Sequence, residues 1–115
     1  MVKSFRELYV WYASVELAEQ IVAMADVLCE KRRFVLADQM QRAAISVPSN
    51  IAEGYGRLTR KEWRHYLAQA RGSLFELETQ LEIAIRIRAI ADAENERTLI
   101  ARIGAGLTKM IRRVT

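Results

Sequence analysis

An unbroken heptad of apolar residues between positions 63 and 84 limits the folds open to this chain more than any other feature. Its members follow one another at spacings of 4-3-4-3-4-3: Trp63, Leu67, Ala70, Leu74, Leu77, Leu81 and Ala84. This spacing places one narrow apolar seam on a helix, and such seams pack in the left-handed manner of antiparallel bundles. The segment therefore predicts one long helix, which begins at a capping box over residues 59–62 and runs to about Ala91.

Three other segments carry helical periodicity, and no segment alternates apolar and polar residues as strands do. The first helix is predicted to begin with a capping box from Ser4 to Glu7. It carries two apolar stripes, one through Leu8, Trp11, Val15, Ala18, Val22, Ala25 and Cys29, the other through Val10, Leu17, Ile21, Met24 and Leu28. One neighbouring helix cannot cover so broad a face, which predicts burial on two sides, by the bundle and by another subunit.

The second helix is predicted from an N-cap at Asp38 and the fourth from an N-cap at Asp92. Pro48 lies inside the second helix, where it removes one backbone hydrogen bond and predicts a kink. Short connections force consecutive helices to be antiparallel. Residues 1–115 are therefore predicted to form one all-α domain, an antiparallel up-down-up-down four-helix bundle whose second helix is kinked at Pro48.

This topology gathers cations that are distant in the sequence at one pole of the bundle. Nine cations against three acids predict a net charge of +6 there, while the other pole is neutral; the nine are Lys3, Arg6, Arg57, Arg60, Lys61, Arg64, Lys109, Arg112 and Arg113. Cations near a helix C-terminus complement the helix dipole, but Arg60, Lys61 and Arg64 stand at a helix N-terminus, where cations are disfavoured. Phosphate is the commonest partner of such cations, so the pole predicts nucleic-acid binding, with a merely solvated surface as the alternative.

No catalytic or metal-binding constellation emerges from the sequence. Glu62 and His65 match one Glu-x-x-His pair of di-iron bundles, but such a site needs two pairs and His65 is the only histidine. Cys29, the only cysteine, lies on an apolar stripe and is interpreted as core. We therefore predict no metal, no cofactor and no enzymatic activity. Without a signal-peptide pattern or an apolar run of about 18 residues, we expect a cytoplasmic protein without membrane contact.

A polar stripe follows the second helix beside its apolar face. It could form a binding groove, or a buried network in which Arg42, Asn50 and Glu53 pair with each other or with Glu76 of the third helix. We favour the structural interpretation, whose members are Arg42, Ser46, Asn50, Glu53 and Glu76.

The same segment carries a family resemblance. Residues 39–57, and above all the run Pro48-Ser49-Asn50-Ile51-Ala52-Glu53-Gly54, resemble the signature of the S23-type four-helix-bundle family, encoded in intervening sequences of bacterial 23S ribosomal RNA genes. Residues 70–77 resemble its second signature, and Phe5, Leu8, Val10 and Trp11 fit its N-terminal pattern. The resemblance covers nearly the whole chain. It implies a four-helix bundle that assembles as a homopentameric, barrel-like ring without an established catalytic activity.

The resemblance leaves two functions open. The same superfamily includes the accessory variability determinant of diversity-generating retroelements, a basic pentamer that binds a reverse transcriptase and nucleic acid. One hypothesis is therefore a non-catalytic, basic, oligomeric scaffold for structured RNA or RNA/DNA, as an accessory factor to a reverse transcriptase. The alternative is a protein–protein adaptor encoded in a 23S rRNA intervening sequence, which does not bind nucleic acid directly.

Overall fold

Four helices account for nearly all of the chain. The computed structural model describes residues 4–5 and 8–114. Within these residues there is no strand, and the helices are α1 (Tyr9–Glu30), α2 (Phe34–Tyr55), α3 (Arg60–Arg86) and α4 (Glu94–Arg113). Each helix packs against its neighbour in the chain and α4 closes on α1, which gives a bundle of about 44 × 20 × 20 Å. The predicted all-α four-helix bundle is confirmed.

The seam of α3 forms the centre of the core, as its heptad predicts. Six of its seven residues are fully buried, and Trp63 is half-buried. The helix begins at the predicted N-cap, where the hydroxyl of Thr59 accepts a hydrogen bond from the backbone N–H of Glu62 at 3.2 Å. None of the four helices, over the residues described, has the length and apolar content that crossing a membrane requires.

Two arginines in the left-handed conformation close the turns after α1 and α3, and α3 ends earlier than its periodicity suggested. Arg32 has φ 62° and Arg88 has φ 61°. After α1, the N–H groups of Arg32 and Arg33 donate to the carbonyls of Cys29 and Leu28 at 2.9 and 2.8 Å, the pattern of a Schellman motif. Because this motif closes the turn at once, α2 begins at Phe34, and the predicted start at Asp38 is wrong.

The same motif closes α3. The N–H groups of Arg88 and Ala89 donate to the carbonyls of Ile85 and Ala84 at 3.0 and 2.9 Å, so α3 ends at Arg86 rather than near Ala91. The next helix also begins one residue later than expected, with Ala93 as the N-cap of α4. Asp92 still serves this helix start, because its carboxylate accepts from the N–H of Glu94 at 3.4 Å.

The two stripes of α1 have different surroundings. The stripe through Leu17, Ile21 and Leu28 is buried in the bundle, whereas Val15, Val22 and Cys29 of the other stripe are exposed. The interpretation of Cys29 as core is therefore wrong, since the bundle covers only the side of α1 that is centred on the second stripe. The helix begins at Tyr9, after an N-cap residue without a side-chain cap. The capping box expected from Ser4 to Glu7 lies partly outside the described residues.

Pro48 lies inside α2, which continues as a helix to Tyr55. Polar side chains bond the carbonyls around it: the hydroxyl of Ser49 donates to the carbonyl of Ile45, and the amide of Asn50 donates to the carbonyl of Ser46, both at 2.8 Å. The kink itself stays a prediction.

Gly54 allows α2 to approach α3 closely at the end of the bundle. A Cβ atom built at this position would lie 2.7 Å from both Trp63 Cε3 and Tyr66 Cβ. Any larger residue would therefore force the two helices apart.

Candidate nucleic-acid interface

An aromatic cluster joins three chain segments at one pole of the bundle. The ring of Phe5 lies edge-on to the rings of Trp11 and Tyr55, at centroid distances of 5.2 and 6.3 Å. Tyr55 in turn lies edge-on to Trp63 at 5.9 Å. The start of α1, the end of α2 and the start of α3 therefore meet at the same end, as alternating helix direction requires.

The end of α4 lies at the same pole, because Gly106 packs against Val10 so closely that a Cβ would lie 2.5 Å from Val10 Cγ1. We call the cations gathered there the cationic pole. Among the described residues it has seven cations against two acids, Glu53 and Glu62, a net charge of +5; the seven are Arg57, Arg60, Lys61, Arg64, Lys109, Arg112 and Arg113. The predicted site residues Lys3 and Arg6 lie outside the described residues.

Only one member of the cationic pole is held by an acid within the described part of the chain. Arg57 lies 3.4 Å from a carboxylate oxygen of Glu53, donates to the hydroxyl of Tyr66 at 2.7 Å and has its guanidinium 4.9 Å from the centre of that ring. These contacts make Arg57 a bridge between α2 and α3. The other six cations are exposed and form no ion pair with a described residue.

Several cations of the opposite pole form hydrogen bonds or ion pairs within the fold. Arg86 and Arg97 both donate to Glu82, at 2.8 and 2.5 Å, and the hydrogen bond from Arg86 is the largest cause of a lowered pKa for that carboxyl. Lys31 donates to the carbonyl of Ala89 at 2.7 Å and so binds the end of α3. Three cations there have partners in the fold, whereas six of the seven described cations of the cationic pole have no acidic partner among residues 4–5 and 8–114.

An open depression of about 660 Å³ lies between the start of α3 and the end of α4, within the cationic pole. Lys61, Arg64 and His65 stand at its edge, and an apolar floor is formed by Ala68, Ile111 and Val114. A concave surface with a cationic edge suits a phosphate group and the sugar attached to it.

His65 is exposed, and its Nε2 shares a hydrogen bond with the amide nitrogen of Gln69 at 3.0 Å. The described residues hold no group of three or more side chains suited to a metal ion. His65 lines the same depression as Lys61 and Arg64.

The polar stripe of α2 forms a smaller network than expected. The hydroxyl of Ser46 shares a hydrogen bond with that of Ser73 on α3 at 2.8 Å, and the amide of Asn50 donates to Ser46 at 2.9 Å. Arg42, Glu53 and Glu76 do not join it. Arg42 is exposed and pairs with Asp38 one turn away at 3.0 Å, Glu53 pairs with Arg57, and Glu76 is exposed. Arg42 and Glu53 each pair with a residue four positions away on an exposed helix face, so neither charge has to enter the interior of the bundle.

A feature that the sequence did not single out lies between α3 and α4. Arg71 donates from Nε to the hydroxyl of Thr108 at 3.1 Å, and its guanidinium lies 4.7 Å from the centre of the Phe75 ring. Both α3 residues fall in the segment 70–77. An arginine four residues before an aromatic residue could have indicated a contact between the two side chains on one face of a helix. The contact of Arg71 with Thr108 depends on the register of α4 against α3, so it could be identified only from the structure.

Comparison with known proteins comes to the same fold. The model of the family described as 23S rRNA-intervening sequence protein matches residues 6–112. The solved structure of a protein with unknown function from the S23 ribosomal protein family of Bacteroides thetaiotaomicron is similar, with a TM-score of 0.81 and 27% identity. The likeness covers 90% of this chain and 95% of that chain. No protein with a curated description matches.

Proposed function

The chain belongs to the 23S rRNA-intervening sequence protein family, and on that premise we propose that it is a non-catalytic, oligomeric scaffold that binds structured RNA or RNA/DNA. The observation that carries the proposal is the cationic pole: six exposed cations at one end of the bundle have no acidic partner among the described residues. Arg60, Lys61 and Arg64 also stand at the positive end of the α3 dipole, which disfavours them until an anion binds. A polyphosphate backbone supplies such anions at regular spacing.

The electrostatics predict how this binding depends on salt. Each phosphate that a lysine or arginine neutralises contributes about −0.9 to the slope of log K against log salt on a duplex. If all six cations contact phosphates, the slope of log K against log salt is about −5 for one subunit, and it cannot be steeper than this. Phosphate contacts position the nucleic acid and carry no base specificity of their own.

Self-association would multiply this charge without covering it. The larger exposed apolar side chains concentrate on α1 and α2, and none lies on α4; those of α1 and α2 are Tyr9, Tyr12, Val15, Val22, Val27, Phe34, Val35 and Ile45. Tyr12, Val15 and Val22 are spaced by three and seven residues and so share one face of α1, and exposed apolar residues that share a face are typical of protein–protein contacts. A ring closed through α1 and α2 would leave α4 and the start of α3 open to a ligand. Light scattering on the wild type and on a Val15→Asp, Val22→Asp variant tests this arrangement.

The test of the proposal is the binding of a fluorescently labelled, structured RNA, followed by anisotropy over a series of salt concentrations. Reversing Arg60, Lys61 and Arg64 to glutamate should abolish most of the binding and flatten the salt slope. The matched control reverses three cations at the opposite pole, Arg32, Arg33 and Arg88, and so changes the net charge by the same amount. Circular dichroism confirms that both variants fold.

The control decides the outcome. Equal losses of affinity in both variants would show that net charge alone governs RNA binding. Unchanged affinity in the variant of Arg60, Lys61 and Arg64 would show that these cations do not bind RNA. A pull-down of a reverse transcriptase that survives nuclease treatment would instead favour the protein–protein adaptor.

A further inference from the structure

We propose that the groove between α3 and α4 binds an unpaired nucleotide of RNA, with its base against the ring of Phe75. The inference rests on the proposed function, because the cationic pole would bring the RNA to the groove. It adds a preference that phosphate contacts cannot give, namely one for single-stranded or looped RNA over a duplex.

The groove owes its depth to small residues on α4. It has a volume of about 440 Å³, with Ile100, Ala101, Gly104 and Ala105 along one side and Phe75 of α3 on the other. A Cβ at Gly104 would lie 3.9 Å from Phe75 Cε1, an ordinary contact distance. The absence of side-chain atoms at position 104 therefore leaves a space directly beside the aromatic ring.

Phe75 is an aromatic residue held ready for stacking. The residue is 41% exposed, although Leu74, its neighbour in the chain, is fully buried. The guanidinium of Arg71 covers the ring from one side, and Thr108 fixes that arginine. The ring lines the groove while the arginine does not, so ring surface remains for a ligand. Bases stack on aromatic side chains irrespective of sequence, and a neighbouring arginine adds a cation–π contribution.

Polar groups at the groove match the remaining parts of a nucleotide. Lys109 and Arg112 line it and also belong to the cationic pole, so a phosphate bound there continues the backbone path from the pole. Glu78 lines the groove as well, and its carboxylate can accept a hydrogen bond from the amino group of a base. Cations for a phosphate, a ring for a base and an acceptor for an amino group occur in one groove.

A second protein copy fits the groove less well than a nucleotide does. Two cations and a carboxylate line the groove, and α4 has no larger exposed apolar side chain among its residues. A helix of another subunit would have to bury these charges, whose desolvation is costly. The apolar surface on α1 and α2 is the better candidate for contact between copies.

The experiment compares two RNAs of equal length and charge, a hairpin with an unpaired loop and a fully paired duplex. Removing the ring in Phe75→Ala should weaken hairpin binding about 5- to 150-fold, equivalent to about 1–3 kcal/mol, and leave duplex binding unchanged. Phe75→Trp should retain the preference for the hairpin, because it keeps an aromatic face. Ile83→Ala, at another exposed apolar residue of α3, is the matched control and should change neither affinity.

A second variant tests the groove without removing the ring. Gly104→Val places a side chain in the space beside Phe75 and should also abolish the preference for the hairpin. Equal losses on hairpin and duplex, or no loss on either, would overturn the inference while leaving the binding through the cationic pole intact. If the wild type binds neither RNA, the proposed function itself fails. A changed subunit number in Gly104→Val, measured by light scattering, would assign the groove to a second copy instead.

Discussion

Glycine should stabilise this protein at two positions where it now has arginine. Arg32 and Arg88 occupy the left-handed position of the Schellman motifs that end α1 and α3, with φ of 62° and 61°. Glycine is the usual residue there because it has no Cβ to clash with the following carbonyl. We therefore expect Arg32→Gly, Arg88→Gly and the double variant to be more stable than the wild type.

The size of the effect follows from two opposing contributions. The left-handed conformation costs an L-residue about 1–2 kcal/mol. Glycine removes this cost but gives back roughly 0.5–1 kcal/mol through the greater freedom of the unfolded chain. A net gain of about 0.5–1 kcal/mol per site remains. For 115 residues the unfolding entropy is about 0.24 kcal/mol per degree, so the double variant should melt about 4–8 °C higher.

Thermal and urea unfolding followed by far-UV circular dichroism measure this gain. Arg88→Ala removes the same side chain but keeps a Cβ in the left-handed conformation, so it should gain nothing from relieved strain. Arg102→Gly places glycine at an exposed, ordinary helical position of α4 and should lose about 1 kcal/mol. If Arg88→Gly proves no more stable than Arg88→Ala, backbone strain at the ends of α1 and α3 does not limit stability and the reasoning is refuted.

Three further predictions concern packing, capping and pH. In thermal melts, Gly54→Ala should lose about 1–3 kcal/mol because its Cβ would meet Tyr66 at 2.7 Å, whereas Gly72→Ala, in open space, should gain up to about 1 kcal/mol. Thr59→Ala should cost about 1 kcal/mol, and Thr59→Ser should restore most of it. The lowered pKa of Glu82 stabilises the fold above the ordinary glutamate pKa. The advantage of wild type over Glu82→Gln in urea titrations should therefore vanish as the pH falls through that lowered value.

Much of the fold could be predicted because its determinants are local. The seam of α3 and the cap at Thr59 depend only on spacing and on a side chain three residues from its partner, and both are where the sequence indicated. The start of α2 was mistaken for the opposite reason. Asp38 has the side chain of an N-cap, but the turn already closes at Arg32, which is in the left-handed conformation. A glycine at that position would have indicated the turn in the sequence, whereas an arginine does not.

The candidate site was predictable only as far as topology determines it. Alternating helix direction was enough to bring the start of α3 and the end of α4 together, and with them most of the cations. It could not show that Arg57 is engaged by Tyr66, because that contact depends on the rotation of α2 against α3. Nor could it show that Phe75 faces Gly104, since an aromatic residue beside a heptad seam is equally compatible with burial.

The aromatic cluster at the cationic pole has an optical consequence. The chain has two tryptophans, Trp11 and Trp63, and both belong to that cluster. Tryptophan fluorescence therefore reports on one end of a molecule 44 Å long, and no tryptophan lies at the other end. Quenching or a wavelength shift on addition of an unlabelled polyanion would give a signal built into the native chain, and it would locate the event as well as detect it.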